Sequence, residues 1–300
     1  MRLIKPVEIT PAKLVSSNVP ETDFAAWVST TAYDIDTKVI WNHHIYQALA
    51  AVPAGVTPGA EVVTAESPAK WLDLGSTNRW RMFDNKVESL TTNPGTIEVT
   101  IKPGAVVNSL ALFNLKGKSV TVTMIDALEG EVYRKEISLV DAGVTNWYDW
   151  FFEPIGIRTD VVVLDMPAYG SANIVLTIDA GAEVAAVGHV VIGAVKQIGT
   201  ALYGSSVGIN DYSRKSTDDF GNTVVIQRSF SNRADFDIAL DTSEVTRVRR
   251  LLADLRATPV VWIGEESYEA TILFGFYKDF QIVFSGPTVS DCSITVEGVI

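Results

Sequence analysis

The feature that most constrains how this chain folds is a repeated alternation of apolar and polar side chains. In residues 96–102, Ile97, Val99 and Ile101 fall on one face of an extended chain, and polar side chains fall on the other. The same alternation returns in residues 119–125, 131–139 and 173–179. A period of two residues is typical of a β-strand with one buried face, and turn residues separate the runs. Residues 72–192 therefore predict an antiparallel β-sandwich of the jelly-roll type.

The segments on either side of this sandwich predict further units, so the expected fold class is mainly β. Residues 1–71 carry two short strand signals between Tyr33 and Tyr46 and predict an N-terminal arm with a small β module. Residues 193–222 include a polar, glycine-punctuated stretch and predict a linker or extended arm. Residues 223–300 combine strand runs with one helix and predict a small C-terminal α+β domain.

The predicted helix lies near residues 243–256. Asp241 can cap its first turn, and Glu244 follows three residues later in the position of a capping box. An apolar stripe at helical spacing follows, formed by Val245, Val248, Leu251, Leu252 and Leu255. Pro259 then ends the helix, because proline cannot continue its hydrogen-bond pattern.

Composition narrows the classes of partner. The formal net charge of -12 disfavours binding to phosphate backbones, so no nucleic-acid partner is expected. A single cysteine rules out a disulfide within the chain. The most apolar long stretch, residues 182–199, carries Glu183, His189 and Lys196, so no membrane span is expected. Residues 1–13 hold no apolar run of signal length, and we expect synthesis in a reducing cytoplasm.

One motif carries a resemblance to a known class of proteins. The segment Trp71-Leu-Asp-Leu-Gly-Ser-Thr-Asn-Arg-Trp-Arg-Met-Phe-Asp84 resembles a signature of bacteriophage tail proteins. Four later segments resemble the C-terminal part of the same proteins: residues 212–214, 219–222, 257–263 and 292–298. The resemblance implies a structural component of the virion tail, made in the bacterial host cytoplasm, that connects or anchors fibres or spikes. The implied partners are other tail proteins and further copies of the chain, in a threefold or sixfold setting.

A second resemblance concerns the N-terminal module. The order of Tyr33, Val39, Tyr46, Pro68 and Trp71 is similar to that in small chitin-binding-type carbohydrate modules. The resemblance implies a mini-sheet, and it offers an alternative function as a tail adhesin that binds a host-surface glycan. On this interpretation the glycan-binding candidates are Tyr33, Tyr46, Trp71, Trp147 and Trp150. For Tyr33, Tyr46 and Trp71 we favour a place in the core of the mini-sheet over a sugar platform. We expect Trp71 and Trp80 to be mostly buried at the junction of this module with the sandwich.

Residues 147–152 are the most aromatic segment of the chain. In a strand, Trp147 and Phe151 would share one face, and Tyr148, Trp150 and Phe152 the other. Either face suits a sugar ring or a buried protein interface, and we favour packing. The interface candidates are Tyr148, Phe151, Phe152, Tyr203 and Tyr212. Residues 187–195 are apolar on both faces of a strand, and we expect a neighbouring subunit to cover one of those faces.

Catalysis and cofactors are not expected. A Ser-His-Asp triad needs a histidine, and His43, His44 and His189 lie in or beside strand-like runs, with no serine elbow before a helix. Paired carboxylates carry no signal in a chain with 36 acidic residues. We expect no metal site, although Asp34 and Asp36 would share one face of a strand and are the candidate ligands for calcium.

Overall fold

The computed structural model describes residues 1–60, 68–141, 156–217 and 220–300. Its strands are β1 (Arg2–Pro6), β2 (Leu14–Ser17), β3 (Ala25–Ala26), β4 (Lys38–Trp41), β5 (His44–Ala48), β6 (Trp71–Ser76), β7 (Thr91–Ile101), β8 (Ser109–Phe113), β9 (Ser119–Asp126), β10 (Gly130–Ser138), β11 (Val140–Asp141), β12 (Gly156–Ile157), β13 (Val161–Val163), β14 (Asn173–Val187), β15 (His189–Gln197), β16 (Thr200–Ala201), β17 (Ser206–Asp211), β18 (Arg214–Thr217), β19 (Thr223–Ile226), β20 (Phe230–Asp241), β21 (Val260–Ile263), β22 (Ile272–Val283) and β23 (Val289–Gly298). A helix, α1 (Val245–Asp254), and short 3₁₀ turns at Arg81–Phe83, Thr242–Glu244 and Glu269–Thr271 complete the described elements.

The sandwich is formed by two antiparallel layers. One layer is a five-stranded sheet in the order β10-β9-β14-β7-β2. The other is the end of a ten-stranded sheet, where β13, β8, β15 and β1 lie side by side. The alternating residues predicted to face the core, among them Ile97, Val99, Val122 and Leu176, are fully buried between the layers. The mainly β fold with a sandwich is thus confirmed.

The ten-stranded sheet continues past the sandwich into the C-terminal part of the chain. Its order is β13-β8-β15-β1-β21-β22-β23-β20-β16, and β17 also pairs with β20. Strand β1 lies between β15 and β21, where Ile4 is opposite Val195 on one side and Val261 on the other. Leu3 and Ile4 are both buried but belong to different cores, because successive strand residues point to opposite faces. The predicted boundaries at residues 72 and 223 therefore separate segments that pair within one sheet.

Helix α1 packs on the C-terminal half of that sheet. Val248 and Leu252 join Phe236, Ile238 and Trp262 in one buried cluster, as the predicted apolar stripe requires. The Asp241 side chain accepts a hydrogen bond from the Ser243 backbone N–H at 2.9 Å, so it caps the 3₁₀ turn that leads into the helix. The Glu244 side chain pairs with Arg247, which differs from the reciprocal contact of a capping box.

Within the described residues, the segment predicted as a linker or extended arm (193–222) contains strands. These are the end of β15, all of β16 and β17, and β18. Polar and glycine residues made this segment resemble a linker, but backbone N–H and C=O groups pair whatever the side chain. The edge of β20 supplies those partners for β16 and β17.

Strand β15 is covered from within the chain, so the expectation that a neighbouring subunit covers residues 187–195 is wrong. Val190 and Ile192 pack into the sandwich core. Val191 packs on the opposite face, in the cluster that contains Ile4 and Phe274. The side chains that pack around Val191 include those of β1 and of the C-terminal strands β21 and β22 in the same sheet, which lie far from β15 in sequence.

Candidate functional site

A highly exposed part of the described structure consists of residues 206–217 and 220–230, which we call the arm. It begins with β17, whose pairing with β20 runs from Ser206 opposite Asp235 to Asp211 opposite Phe230. The other edge of β17 has no strand partner among the described residues. An edge strand with unpaired backbone groups is a template for pairing with another chain.

The outer part of the arm is a β-hairpin of β18 and β19. Its register runs from Arg214 opposite Ile226 to Thr217 opposite Thr223. In the described structure the two strands pair only with each other. All their residues are exposed, including Val224 at 50%, Val225 at 58% and Ile226 at 49%. Three adjacent apolar side chains in solvent on a two-stranded ribbon form a surface that gains stability when it is covered.

Two predicted interface residues lie at or next to the arm. Tyr203 is fully exposed in the turn before β17. Tyr212 is half exposed, and its hydroxyl lies 3.1 Å from Ser231 Oγ. The structure therefore brings both side chains to the surface on the same part of the molecule, as an interface requires.

The base of the arm is attached to the body by a specific hydrogen bond, in which Ser229 Oγ donates to Glu88 Oε2 at 2.9 Å. Within the arm, Arg228 N donates to Ser213 Oγ at 3.1 Å. A groove beside β17 is lined by Asp160, Ile209 and Glu269, among others. Burial, with a smaller contribution from the Glu269 carboxylate, raises the pKa of Asp160 to about 6. The arm thus projects from a defined base.

The predicted glycan-binding side chains of the N-terminal module pack on one another. The module is a four-stranded sheet in the order β3-β4-β5-β6, with β3 and β4 parallel. Trp71 is buried, and its Nε1 donates to the Val56 carbonyl at 3.2 Å. The rings of Tyr33 and Trp71 meet edge to face at 5.5 Å, and Tyr46 packs on the same cluster. Trp71 therefore offers little ring surface to a sugar.

The remaining aromatic candidates cannot be placed. Trp147, Tyr148, Trp150, Phe151 and Phe152 lie outside the described residues.

The calcium candidates and the histidines have local partners. Asp34 and Asp36 are exposed, and Asp36 Oδ1 accepts from Gln47 Nε2 at 2.7 Å. His43 and His44 bond through Nδ1 to Glu21 and Asp73, respectively, each at 2.9 Å. Among the described residues, no group of three or more histidine, cysteine or acidic side chains is placed to hold a metal ion. No helix in the described part of the chain is long and apolar enough to cross a membrane.

Trp80, in the tail-like motif, is a residue whose role sequence reasoning described only in part. Its predicted burial is confirmed, at 9% exposed. Its ring packs on His43 at 4.5 Å and on Phe83 at 5.9 Å, which joins the N-terminal module to the sandwich. Its indole N–H has no hydrogen-bond partner among the described residues. Sequence alone carries no signal for such an unpaired donor.

Neither a protein-family model nor a curated protein matches the sequence. Among solved structures, the chain is similar to the lectin domain of lectinolysin in complex with Lewis B antigen, at 14% identity and a TM-score of 0.27. That likeness covers 38% of this chain and 82% of the lectin domain. A chitosan-binding module of a chitosanase/glucanase from Paenibacillus sp. IK-5 is similar at 11% identity and a TM-score of 0.25, over 37% of this chain and 81% of the module. Likenesses this distant establish neither a shared fold nor a shared ligand.

Proposed function

We propose that this chain is a non-enzymatic structural subunit of a bacteriophage virion tail, which joins tail parts through protein–protein contacts. The observation that carries the proposal is the β18–β19 hairpin, which exposes Val224, Val225 and Ile226. A two-stranded ribbon is marginally stable alone in water, and its apolar side chains gain free energy when another surface covers them.

The edge strand β17 supports the same role. Val207 and Ile209 are exposed on it. A neighbouring subunit can add a strand to such an edge, with backbone hydrogen bonds supplying affinity and side-chain pockets supplying specificity. We expect the interfaces that include the arm to exceed about 1,000 Å² in total.

The tail setting comes from the resemblance of residues 71–84 to tail proteins. In a tail, the surface that covers the arm belongs to a second copy of the chain or to another tail protein, in a threefold or sixfold arrangement. The alternative of a glycan-binding adhesin that uses Tyr33, Tyr46 and Trp71 is less well supported, because Trp71 is buried and both tyrosines pack on its cluster.

The test compares two equally exposed valines. Phage particles are assembled with Val225→Asp in the arm, or with Val106→Asp as the control, since Val106 lies outside the arm and is exposed to the same extent (57% against 58%). We expect Val225→Asp to lower incorporation of the chain into virions by at least about tenfold, because an unpaired carboxylate would be buried in the contact. Quantitative mass spectrometry of purified virions measures the copy number.

Equal incorporation of the two variants would contradict the proposal. So would a cryo-EM map of the assembled particle in which the arm is fully solvated. Both positions are exposed, so we expect both variants to fold. Circular dichroism of each purified variant checks this.

A further inference from the structure

An acidic groove lies on the C-terminal part of the ten-stranded sheet, on the face opposite helix α1. It has a volume of about 390 Å³, and its lining includes Leu202, Tyr203, Asp237, Gln281, Val283 and Asp291. Asp237 and Asp291 alternate along their strands with Ile238 and Cys292, which pack in the same cluster as Val248 of α1. Because successive strand residues point to opposite faces, the two carboxylates lie on the face that α1 leaves uncovered.

The two carboxylates of this acidic groove have no neutralising partner. Within the described residues, Asp237 and Asp291 are exposed, and their side chains form no ion pair or hydrogen bond. Leu202 and Val283 beside them are 41% and 47% exposed. The acidic groove therefore suits a protein segment that carries cations together with apolar side chains.

The hairpin of the arm has this composition. Arg214 lies opposite Ile226, and Lys215 lies opposite Val225, so each face of the ribbon combines a cation with an apolar side chain. Neither Arg214 nor Lys215 forms an ion pair in the described part of the chain. The acidic residues 218 and 219 follow in the connection between the two strands, at the end of the hairpin away from Arg214.

The arm extends away from the acidic groove of its own chain. Strand β17 pairs with β20 from Asp235 to Phe230, and the hairpin continues from the Phe230 end. Asp237 lies on β20 beyond the other end of this pairing. At about 3.3 Å per strand residue, the stretch from Phe230 to Asp237 separates the start of the hairpin from the groove by roughly 23 Å. A second chain is therefore needed to bring the two surfaces together.

We infer that the hairpin of the arm binds in the acidic groove of a second copy of this chain. The inference rests on the proposed function, for which it names the partner that covers the arm. Arg214 and Lys215 pair with Asp237 and Asp291 of the next copy, while the apolar side chains of the hairpin cover Leu202 and Val283. Since the two surfaces are different parts of the chain, the contact is heterologous and can close into a ring, as a threefold or sixfold setting requires.

The test is an exchange of charges, measured by sedimentation equilibrium of the full chain at up to about 1 mM. One variant is Arg214→Glu/Lys215→Glu in the arm, and the other is Asp237→Lys/Asp291→Lys in the groove. Each alone places like charges across the contact, so we expect its self-association to weaken at least about tenfold. An equimolar mixture should associate as the parent chain does. In the mixture, the altered arm meets the altered groove, and the parent arm meets the parent groove.

The matched control is Glu98→Lys/Glu136→Lys, which changes the net charge by the same amount as the groove variant. Both side chains are exposed on the five-stranded sheet and do not line the acidic groove. This control should associate as the parent chain does. Circular dichroism of every variant checks that the chain is folded.

Disulfide cross-linking locates the contact. Chains with Val225→Cys in the arm are mixed with chains that carry Gln281→Cys in the groove. We expect the mixed dimer to form at least about tenfold faster than a dimer of either variant with itself, because docking raises the local thiol concentration. The native Cys292 is buried, which raises its pKa to about 11 and keeps its thiol protonated and unreactive.

Several results would overturn the inference. They are a parent chain that stays monomeric at the highest concentration, a mixture that associates no better than its components, and Val225→Cys chains that cross-link mainly with each other. If Val225→Asp were still lost from virions in any of these cases, the proposed function would stand, with another tail protein covering the arm. Restored association in the mixture, with equal incorporation of Val225→Asp and Val106→Asp, would uphold the contact and contradict the tail role.

Discussion

The sandwich and the arm are built from the same kind of strand, yet their side chains have opposite environments. In β9, Val120, Val122 and Met124 alternate with more polar residues and are fully buried. In β17, Val207 and Ile209 alternate with polar residues and glycine in the same way and are exposed. The difference is whether a second layer lies above the apolar face. A strand pattern without a covering layer marks a surface suited to a partner.

Substitutions of aromatic residues are expected to show the largest difference in stability loss between the two regions. Trp80→Ala removes a buried ring at the junction of the module and the sandwich, and it should destabilise the fold by about 3–5 kcal/mol. Tyr203→Ala removes a fully exposed ring next to the arm and should change stability by less than about 0.5 kcal/mol. Urea unfolding of the isolated chain measures both. Similar losses in the two variants would show that the arm region is covered in the isolated chain.

Substitutions of aliphatic residues should show the same difference in stability loss between the sandwich and the arm, with smaller values. Leu176→Ala leaves a cavity in the sandwich core and is expected to cost about 2–5 kcal/mol. Ile209→Ala in β17 removes a side chain that is 60% exposed, so we expect a change within about 0.5 kcal/mol in the isolated chain. The midpoint of thermal unfolding would fall for the first variant and stay constant for the second. A marked fall for Ile209→Ala would remove the distinction between the two strands.

The smallest effect on folding stability is expected for Asp160, which lies where the arm and the sandwich meet. The pKa of Asp160 is raised to about 6 because burial disfavours the carboxylate. The unfolded chain releases this proton near pH 4, so folding stability falls as the pH rises from about 4 to about 6 and is constant above. The loss amounts to about 1–3 kcal/mol, since the side chain is only half-buried. Asp160→Asn should remove this pH dependence and stabilise the fold at pH 7 by a similar amount.

The unfolding free energies of the parent chain and of Asp160→Asn, measured at pH 4 and pH 7, test this prediction. Asp160→Glu is the matched control, because it keeps the titrating group. If Asp160→Asn were less stable than the parent chain at pH 7, the hydrogen bond that Asp160 accepts from the Asn114 N–H would outweigh the burial of its charge.

The sequence predicted where the candidate site lies along the chain, but it did not predict the structure of that segment. Tyr203 and Tyr212 were expected at an interface, and both lie on the surface at or beside the arm. Their segment was expected to be a linker, since a polar, glycine-rich stretch gives no signal for the backbone pairing of β17 with β20. Trp71 was a glycan-binding candidate, but burial in the mini-sheet was favoured for it, and the structure buries it beside Tyr33 and Val56.

By itself the sequence determined the alternating strands of the sandwich and the C-terminal helix of this protein. Alternation at a period of two determined the strands, because side chains of a strand point to opposite faces. The stripe from Val245 to Leu255 and the cap at Asp241 determined the helix. Tertiary structure decided which apolar faces are covered. It placed β1 between β15 and β21. Within the described residues, it left the hairpin of the arm uncovered and left Trp80 Nε1 and His189 Nδ1 without hydrogen-bond partners. Those outcomes depend on contacts between residues far apart in the chain, which a periodic pattern along the sequence does not encode.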